Sequence, residues 1–418
     1  MKKSIQLINQ EEIQKNMMNS NDLKRDYIKT LTDVKLVIGN GFDLHCKLCS
    51  SYYHYYLFNK KKFDFAKKWY LQYEEEDRLD KKFKEINIDF DNDYLNIWDF
   101  FFGFEFSRFE RNLKEFDWFN IERMILDSLR SENTISTAVK WEVVRKIYLS
   151  GGFDSDTYCS AMANIIYKKR NGSIFKNDDD YYSYLINELR LFEKKFGKFI
   201  LNTYKNTMHN WFSMGLENEK YYTCTEATLN DLCNVNNLVA IDSFNYSTFR
   251  VKNGVEINHI NGDVQAPIFG IDTIFKPTES KYIFTKTCRR IEAEMLINSS
   301  KKNVNFKNII VYGHSLNEAD YNYFFATFDS MNLIETSSKG IVVFAYSIYN
   351  NERKYGILKK KRNEISLLFY HYGLYKNLSK PERLLELLSF QNKIVMYEIP
   401  ELVEYQYNYD TYFEIKEK

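Results

Sequence analysis

Four prolines and fifteen glycines are all the chain breakers in 418 residues, roughly 1% and 4% against usual values of about 5% and 7%. With so few stops, long helices are the default expectation, and the breaks that do occur carry information. The first is Gly39-Asn40-Gly41, directly after Val34-Lys35-Leu36-Val37-Ile38. This short β-branched run reads as a buried strand entering a tight turn. From Ser50-Ser51, a cap, the pattern turns helical until about residue 235. Trp118, Ile121, Ile125 and Leu129 keep a three/four spacing. Leu185, Leu189, Phe192, Phe196 and Phe199 repeat it as one apolar face of a long helix. Past residue 235 short apolar runs return at Leu238–Ile241, Ile309–Tyr312 and Gly340–Tyr346, separated by helical stretches such as Tyr321–Met331. Strands alternating with helices predict an α/β fold around a mostly parallel sheet. The expected organisation is an N-terminal extension over 1–33, a discontinuous α/β domain from 34–50 and 236–418, and a large helical insertion over 51–235.

Charge excludes some partners. Fifty-eight Lys and Arg against 57 Asp and Glu leave a net charge of +1, no footprint for nucleic acid or an anionic membrane. Nowhere do enough apolar residues run together for a transmembrane helix or a signal peptide. The six cysteines are expected as reduced thiols of a cytoplasmic protein. Cys46 and Cys49 form a lone pair without a second Cys or His pair at ligand spacing, so no metal is expected. Thirty-three Tyr, 33 Phe and 5 Trp supply core volume.

The polar residues that follow the strands carry the functional argument. Gly39-Asn40-Gly41-Phe42-Asp43-Leu44 follows the first strand, Ser243-Phe244-Asn245-Tyr246-Ser247 the second, His259-Ile260-Asn261-Gly262-Asp263 a short alternating run, and Gly313-His314-Ser315-Leu316 the strand Ile309–Tyr312. Asn317 and Asp320 are spaced as a helix cap and a first-turn acid. In a parallel sheet these segments converge on the carboxyl edge, where ligands bind. A Gly-x-Gly turn lets backbone N–H groups approach phosphates, but the third glycine of the dinucleotide fingerprint is missing. Asp43 suits a ribose hydroxyl or loop organisation better than a phosphate. His314 is open to three readings: a general base, a phosphate-facing donor, or a ring bonded to a neighbouring backbone carbonyl. His54, on an aromatic helix, is expected to be packed, Glu122 to make an ion pair, and Lys359-Lys360-Lys361-Arg362 to form a solvated helix face.

Leu36–Leu44 with its Gly-Asn-Gly-Phe-Asp-Leu, Trp118-Phe119-Asn120-Ile121-Glu122, Ile268-Phe269-Gly270-Ile271-Asp272 and Tyr312-Gly313-His314-Ser315-Leu316 with Asp320 resemble, in that order, the bacteriophage abortive-infection AbiH family. The resemblance implies a role in phage defence and a phage-derived trigger. A more distant resemblance, from Gly-x-Gly through Asn245 to Gly262 and Gly313-x-Ser315, is to sirtuin-like NAD-binding domains. It implies a sirtuin-like, Rossmann-type fold with NAD as substrate or ligand and no required cofactor. Gly39, Asn40, Gly41, Phe42, Asn261, Gly262, Gly313, Ser315 and Asp320 would then surround the nucleotide, and Asn245, Asp43, His259 and His314 would serve catalysis. Those domains carry a histidine immediately before the glycine, where this chain has Asn261 and its nearest imidazole is His259. An amide does not take a proton at neutral pH. Two functions from different classes therefore stand: an NAD hydrolase, and a non-catalytic nucleotide-binding sensor acting through a partner. A homo-oligomer is left open, and a membrane or nucleic-acid partner is not expected.

Overall fold

The computed structural model describes residues 21–46, 48, 50–59, 96–99, 101–102, 119–130, 163, 167, 171, 173, 175–213, 219–249, 251–271, 275–296, 304–347 and 354–399. These form two compact units. The first draws on the described residues of Met1–Leu48, Tyr204–Ile260 and Ser300–Tyr407, the second on those of Cys49–Thr203 and Asn261–Ser299.

The first unit is built on six parallel strands: β1 (Val34–Ile38), β2 (Leu238–Ser243), β3 (Ile257–His259), β4 (Asn308–Tyr312), β5 (Val342–Tyr346) and β6 (Ile394–Glu398). Their order, β3-β2-β1-β4-β5-β6, is that of the doubly wound Rossmann sheet, with its switch point between β1 and β4. β1 is central, and its two faces serve two cores. Leu36 and Ile38 pack with Leu229, Leu232 and Ile310, whereas Val37 meets Phe324, Phe328 and Phe369 from the other side. That is why Leu36–Ile38 of β1 reads as a continuous apolar run rather than an alternating one. The first core also takes Ile28 and Leu31, from and just after a helix α1 at 21–30. This part of the stretch read as an extension thus contributes to the core. Edge strand β6 is not among the strands the sequence predicts. Its mostly half-buried residues give neither a strict alternation nor a run like that of β1.

Helices α2 (Asn40–His45) and α6 (Glu219–Leu232) border the first core. Helices α8 (Tyr321–Ser330), α9 (Lys354–Tyr375) and α10 (Leu384–Phe390) cover the second. The remaining named α-helices, in chain order, are α3 (Tyr52–Phe58), α4 (Phe119–Arg130), α5 (Asp178–Ser213) and α7 (Lys286–Leu296). In the second unit the apolar stripe of α5 is buried as its spacing predicts, at Leu185, Leu189, Phe192, Phe196 and Phe199. Tyr55 stands against Phe192, Phe196 and Phe199 with ring centroids 5.3–5.6 Å apart, so the abundant aromatics do serve as core volume here. Ser51 caps α3 by accepting the His54 N–H at 3.3 Å. Ile125 and Leu129 are buried on α4, while Trp118 and Cys49 lie outside the described residues.

Buried ion pairs tie this unit together. Glu193 accepts the Phe269 N–H at 2.6 Å and pairs with Arg289 at 2.8 Å, and Arg289 donates to the Phe269 carbonyl at 3.3 Å. One peptide is thereby clamped between α5 and α7. Glu122 pairs with Lys286 at 2.5 Å, the structural role expected of it. Burial pushes the Glu193 carboxyl up from 4.5 to about 7, against the pull of Arg289 and the Phe269 N–H. Burial holds the His54 imidazole down at about 4 from 6.5.

Two predictions follow from this packing. Phe328 is fully buried and Phe390 is 79% exposed. Phe328→Ala should cost roughly 3–5 kcal/mol, and Phe390→Ala less than about 0.5 kcal/mol, in urea denaturation. The second concerns pH. The stabilising contribution of Glu193 is complete below about 4.5 and is lost as pH rises through about 7. That of His54 is complete above 6.5 and is lost as pH falls through about 4. Because the slopes oppose, the readout is a difference. Between pH 4.5 and 7 the Tm of the wild type should fall relative to that of Glu193→Gln, and a constant difference would count against the assignment.

Candidate functional site

Four strands of the first unit end at one level. Ile38 stands opposite both Ser243 and Tyr312, and Ser243 opposite His259. The segments after them leave the carboxyl edge of the sheet side by side.

The turn after β1 is closed by its own neighbours. Gly39 donates its N–H to the Tyr312 carbonyl at 3.0 Å, Gly41 to the Gly313 carbonyl at 2.8 Å, and Phe42 to the Gly39 carbonyl at 2.9 Å. A Cβ on Gly39 would lie 2.7 Å from His314 Cα, and one on Gly313 only 2.4 Å from the Phe42 nitrogen. Gly313 moreover sits at φ 68°, where a side chain is strained. These glycines are thus demanded by backbone meeting backbone, whereas the sequence suggested room for phosphates. Phe42, expected beside a nucleotide, is fully buried and stacks on Phe249 at 5.0 Å. Asn40 is half-buried at the start of α2.

Asn245 joins three of these segments. Its Nδ2 donates to the Gly39 carbonyl at 2.9 Å, and its own N–H to Ser243 Oγ at 3.1 Å. Its Oδ1, within a residue only 2% exposed, has no hydrogen-bond partner among the described residues. A buried acceptor left this way costs about 1–3 kcal/mol. Asp43 is buried at 1% exposure and accepts the Ser247 hydroxyl at 2.6 Å, so Ser247 is a site residue that sequence reasoning did not single out.

The two histidines stand in opposite hydrogen-bonding states. His259 Nδ1 lies 3.0 Å from the Asn245 carbonyl. A carbonyl only accepts, so Nδ1 carries the proton and Nε2 of the neutral ring keeps its lone pair. The residue is partly exposed. His314 is the reverse. Its Nδ1 accepts the Leu316 N–H at 2.9 Å, and its Nε2 faces Asp320 Oδ2 at 3.4 Å. Phe244 and Phe324 pack edge-on against its ring at 4.3 and 5.2 Å. Leu316 is held at φ 53°, a left-handed conformation that costs a branched side chain roughly 1–2 kcal/mol. Ser315 is half-buried in the same turn. Asn317 makes no side-chain cap bond, whereas Asp320 is an acid of the first turn, as its spacing predicts, and is buried beside His314. Lys361, read as part of a solvated face, donates to the His314 carbonyl at 3.0 Å and pairs with Glu364 at 2.7 Å. With Gly313 and Tyr346 it lines a cavity of about 10 Å³, room for roughly one water molecule.

Asn261 and Gly262 fall in the second unit. β3 stops at His259, and Gly262 turns the chain at φ 77°. Asn261 Oδ1 accepts from Arg290 at 2.9 Å.

Residues 36–343 match the family model described as bacteriophage abortive infection AbiH. The chain belongs to that family. Its role is accordingly in phage abortive infection. The match begins in β1 and ends in β5, so it takes in the glycine turn, Asn245, His259 and the His314 turn of this AbiH protein. No curated protein matches the chain. Among the described residues no group of three or more His, Cys, Asp or Glu side chains is placed to hold a metal ion, and no helix is long and apolar enough to cross a membrane.

Gly313 and Gly254 separate the two demands on glycine in the AbiH fold. Both have positive φ, but nothing lies within 4 Å of a Cβ built on Gly254. Gly254→Ala should cost about 1 kcal/mol, whereas Gly313→Ala should cost upwards of about 2 kcal/mol. Equal losses in thermal denaturation would show that loop contact adds nothing.

Proposed function

We propose that this AbiH protein acts in phage abortive infection by binding NAD at the carboxyl edge of its sheet and hydrolysing it to nicotinamide and ADP-ribose. The observation that carries the reading is His259. Its Nδ1–H is fixed on the Asn245 carbonyl at 3.0 Å, which leaves Nε2 as a proton acceptor on a ring tied to the residue whose buried Oδ1 has no partner among the described residues. In the reaction water adds to the ribose carbon of the nicotinamide glycosidic bond. That C–N bond breaks, its electron pair returns to the pyridinium ring, and neutral nicotinamide leaves. The proton of the water passes to His259 Nε2. Asn245 Oδ1 accepts a ribose hydroxyl or the water, and the Asp43 carboxylate supports the oxocarbenium-like state by its charge. The sirtuin-like order of segments supports NAD as the nucleotide. It also makes His259 the replacement for the imidazole that Asn261 does not provide.

The other reading, a non-catalytic nucleotide sensor acting through a partner, is favoured by the closed glycine turn. The N–H groups of Gly39, Gly41 and Phe42 are already donated within the protein. A diphosphate that took them would have to part the β1 and β4 segments, and binding would then register as a change of shape.

The test is to incubate purified protein with NAD, with and without lysate of phage-infected cells, and to follow nicotinamide and ADP-ribose by mass spectrometry. His259→Ala should lower release about 10²- to 10⁴-fold, and Asn245→Ala about 100-fold. NAD that raises the Tm of the protein without being consumed, with phage protection still dependent on Asn245, would favour the sensor.

A further inference from the structure

We propose that His314 is a positioning residue: its imidazole latches the segment after β4 against the glycine turn, and it takes no proton from the substrate. The inference rests on the hydrolase reading only for its kinetic arm. Both ring nitrogens are engaged inside the protein, Nδ1 by the Leu316 N–H at 2.9 Å and Nε2 by Asp320 at 3.4 Å. With the ring packed between Phe244 and Phe324, no lone pair faces outward. His259 differs here, because its Nε2 is not used by the bond that fixes the ring.

What the imidazole holds is a conformation the chain would otherwise leave. Leu316 is left-handed at φ 53° and Gly313 at φ 68°. A ring nitrogen accepting the Leu316 N–H satisfies the donor that this conformation turns inward. From the opposite side Lys361 grips the His314 carbonyl at 3.0 Å. So fixed, the segment presents the Gly313 carbonyl to the Gly41 N–H at 2.8 Å, and the His314 Cα stands where a Cβ on Gly39 would be 2.7 Å away. Gly39 in turn offers its carbonyl to the Asn245 amide at 2.9 Å. A continuous series of contacts therefore runs from Asp320 through His314, Gly313 and Gly39 to Asn245, the residue that the hydrolase reading assigns to the ribose or the water. Releasing the imidazole loosens the acceptor end of the site without removing any group that touches NAD.

The tautomer supplies the discriminating variant. Only an acceptor at the Nδ1 position is required, and an asparagine oxygen reaches that position while being unable to act as a base. Four full-length variants, His314→Ala, His314→Asn, His314→Gln and Asp320→Ala, would be compared by hydrogen exchange and by NAD hydrolysis. In His314→Ala, amides in peptides covering 309–320 and also 36–43 should exchange faster, and kcat should fall about 100-fold, the penalty of a site out of register by about 1 Å. His314→Asn should restore protection in both peptides and recover the rate to within about tenfold of wild type. Asp320→Ala keeps the Nδ1 bond and should leave both peptides protected. Should His314→Ala not fold, loss of protection in His314→Gln, whose longer side chain does not place its oxygen at the Nδ1 position, against protection in His314→Asn reads the same latch.

The two hypotheses fail separately. If the wild type releases no nicotinamide, the hydrolase reading falls and the latch is judged on exchange alone. Exchange changes confined to 309–320, or a His314→Asn variant as inactive as His314→Ala, would overturn the latch.

Discussion

Gly313 is pressed backbone to backbone against Gly41 and Phe42, so closely that a single added methyl would fall 2.4 Å from a main-chain nitrogen. The geometry of the carboxyl edge depends on that contact. β1 and β4 are neighbours at the switch point of a doubly wound sheet, where crossovers leave in opposite directions and a crevice opens. Here the crevice is spanned near its floor by two main-chain bonds, from Gly39 to Tyr312 and from Gly41 to Gly313. The Asn245 amide then bonds the Gly39 carbonyl and Ser247 bonds Asp43, which joins the β2 segment to the same assembly. Glycine is required because no side chain leaves space for this approach. The N–H groups of Gly39, Gly41 and Phe42 are consequently taken up within the protein.

The second unit solves a different problem with buried charge. Its long helix α5 presents an apolar stripe, but Glu193 lies within that stripe and is desolvated beside Arg289. Such a pair adds little net stability against an apolar alternative, yet removing one partner is costly. Its effect is to specify one arrangement: Glu193 and Arg289 grip opposite sides of the Phe269 peptide. Tyr55, Asp99 and Lys195 form a comparable connection, with the phenol bonded to Asp99 at 3.0 Å and the ammonium at 2.5 Å. Burial and the Asp99 charge hold that phenol well above its usual range.

The elements were legible where the local pattern and the tertiary environment agree. β1, β2, β4 and β5 follow from β-branched runs, and the buried face of α5 from its three/four spacing. The family was legible from Gly-Asn-Gly-Phe-Asp-Leu and Gly-His-Ser-Leu-x-x-x-Asp because both motifs lie in sequence-contiguous turns. The states of the two histidines were not. His259 and His314 are the same residue type beside similar polar segments, and only their partners distinguish them: a carbonyl fourteen residues earlier in one case, a neighbouring N–H and the Asp320 carboxylate in the other. Nor could spacing reveal that Lys361 turns from its basic helix face to grip the His314 carbonyl, since that carbonyl comes from another element.

The sequence by itself determined an α/β chain of the AbiH family, with parallel strands that end in glycine, asparagine and histidine turns. It did so because periodicity, breakers and short motifs are properties of neighbouring residues. Tertiary structure decided what those turns do. It spent the glycines on contact between loops, buried Asp43 against Ser247, left the Asn245 oxygen without a partner among the described residues, and fixed the two imidazoles in opposite tautomers. Each of these outcomes depends on which donors and acceptors from distant segments arrive within 3 Å or so of one another, and that is set by strand register and crossover rather than by sequence spacing.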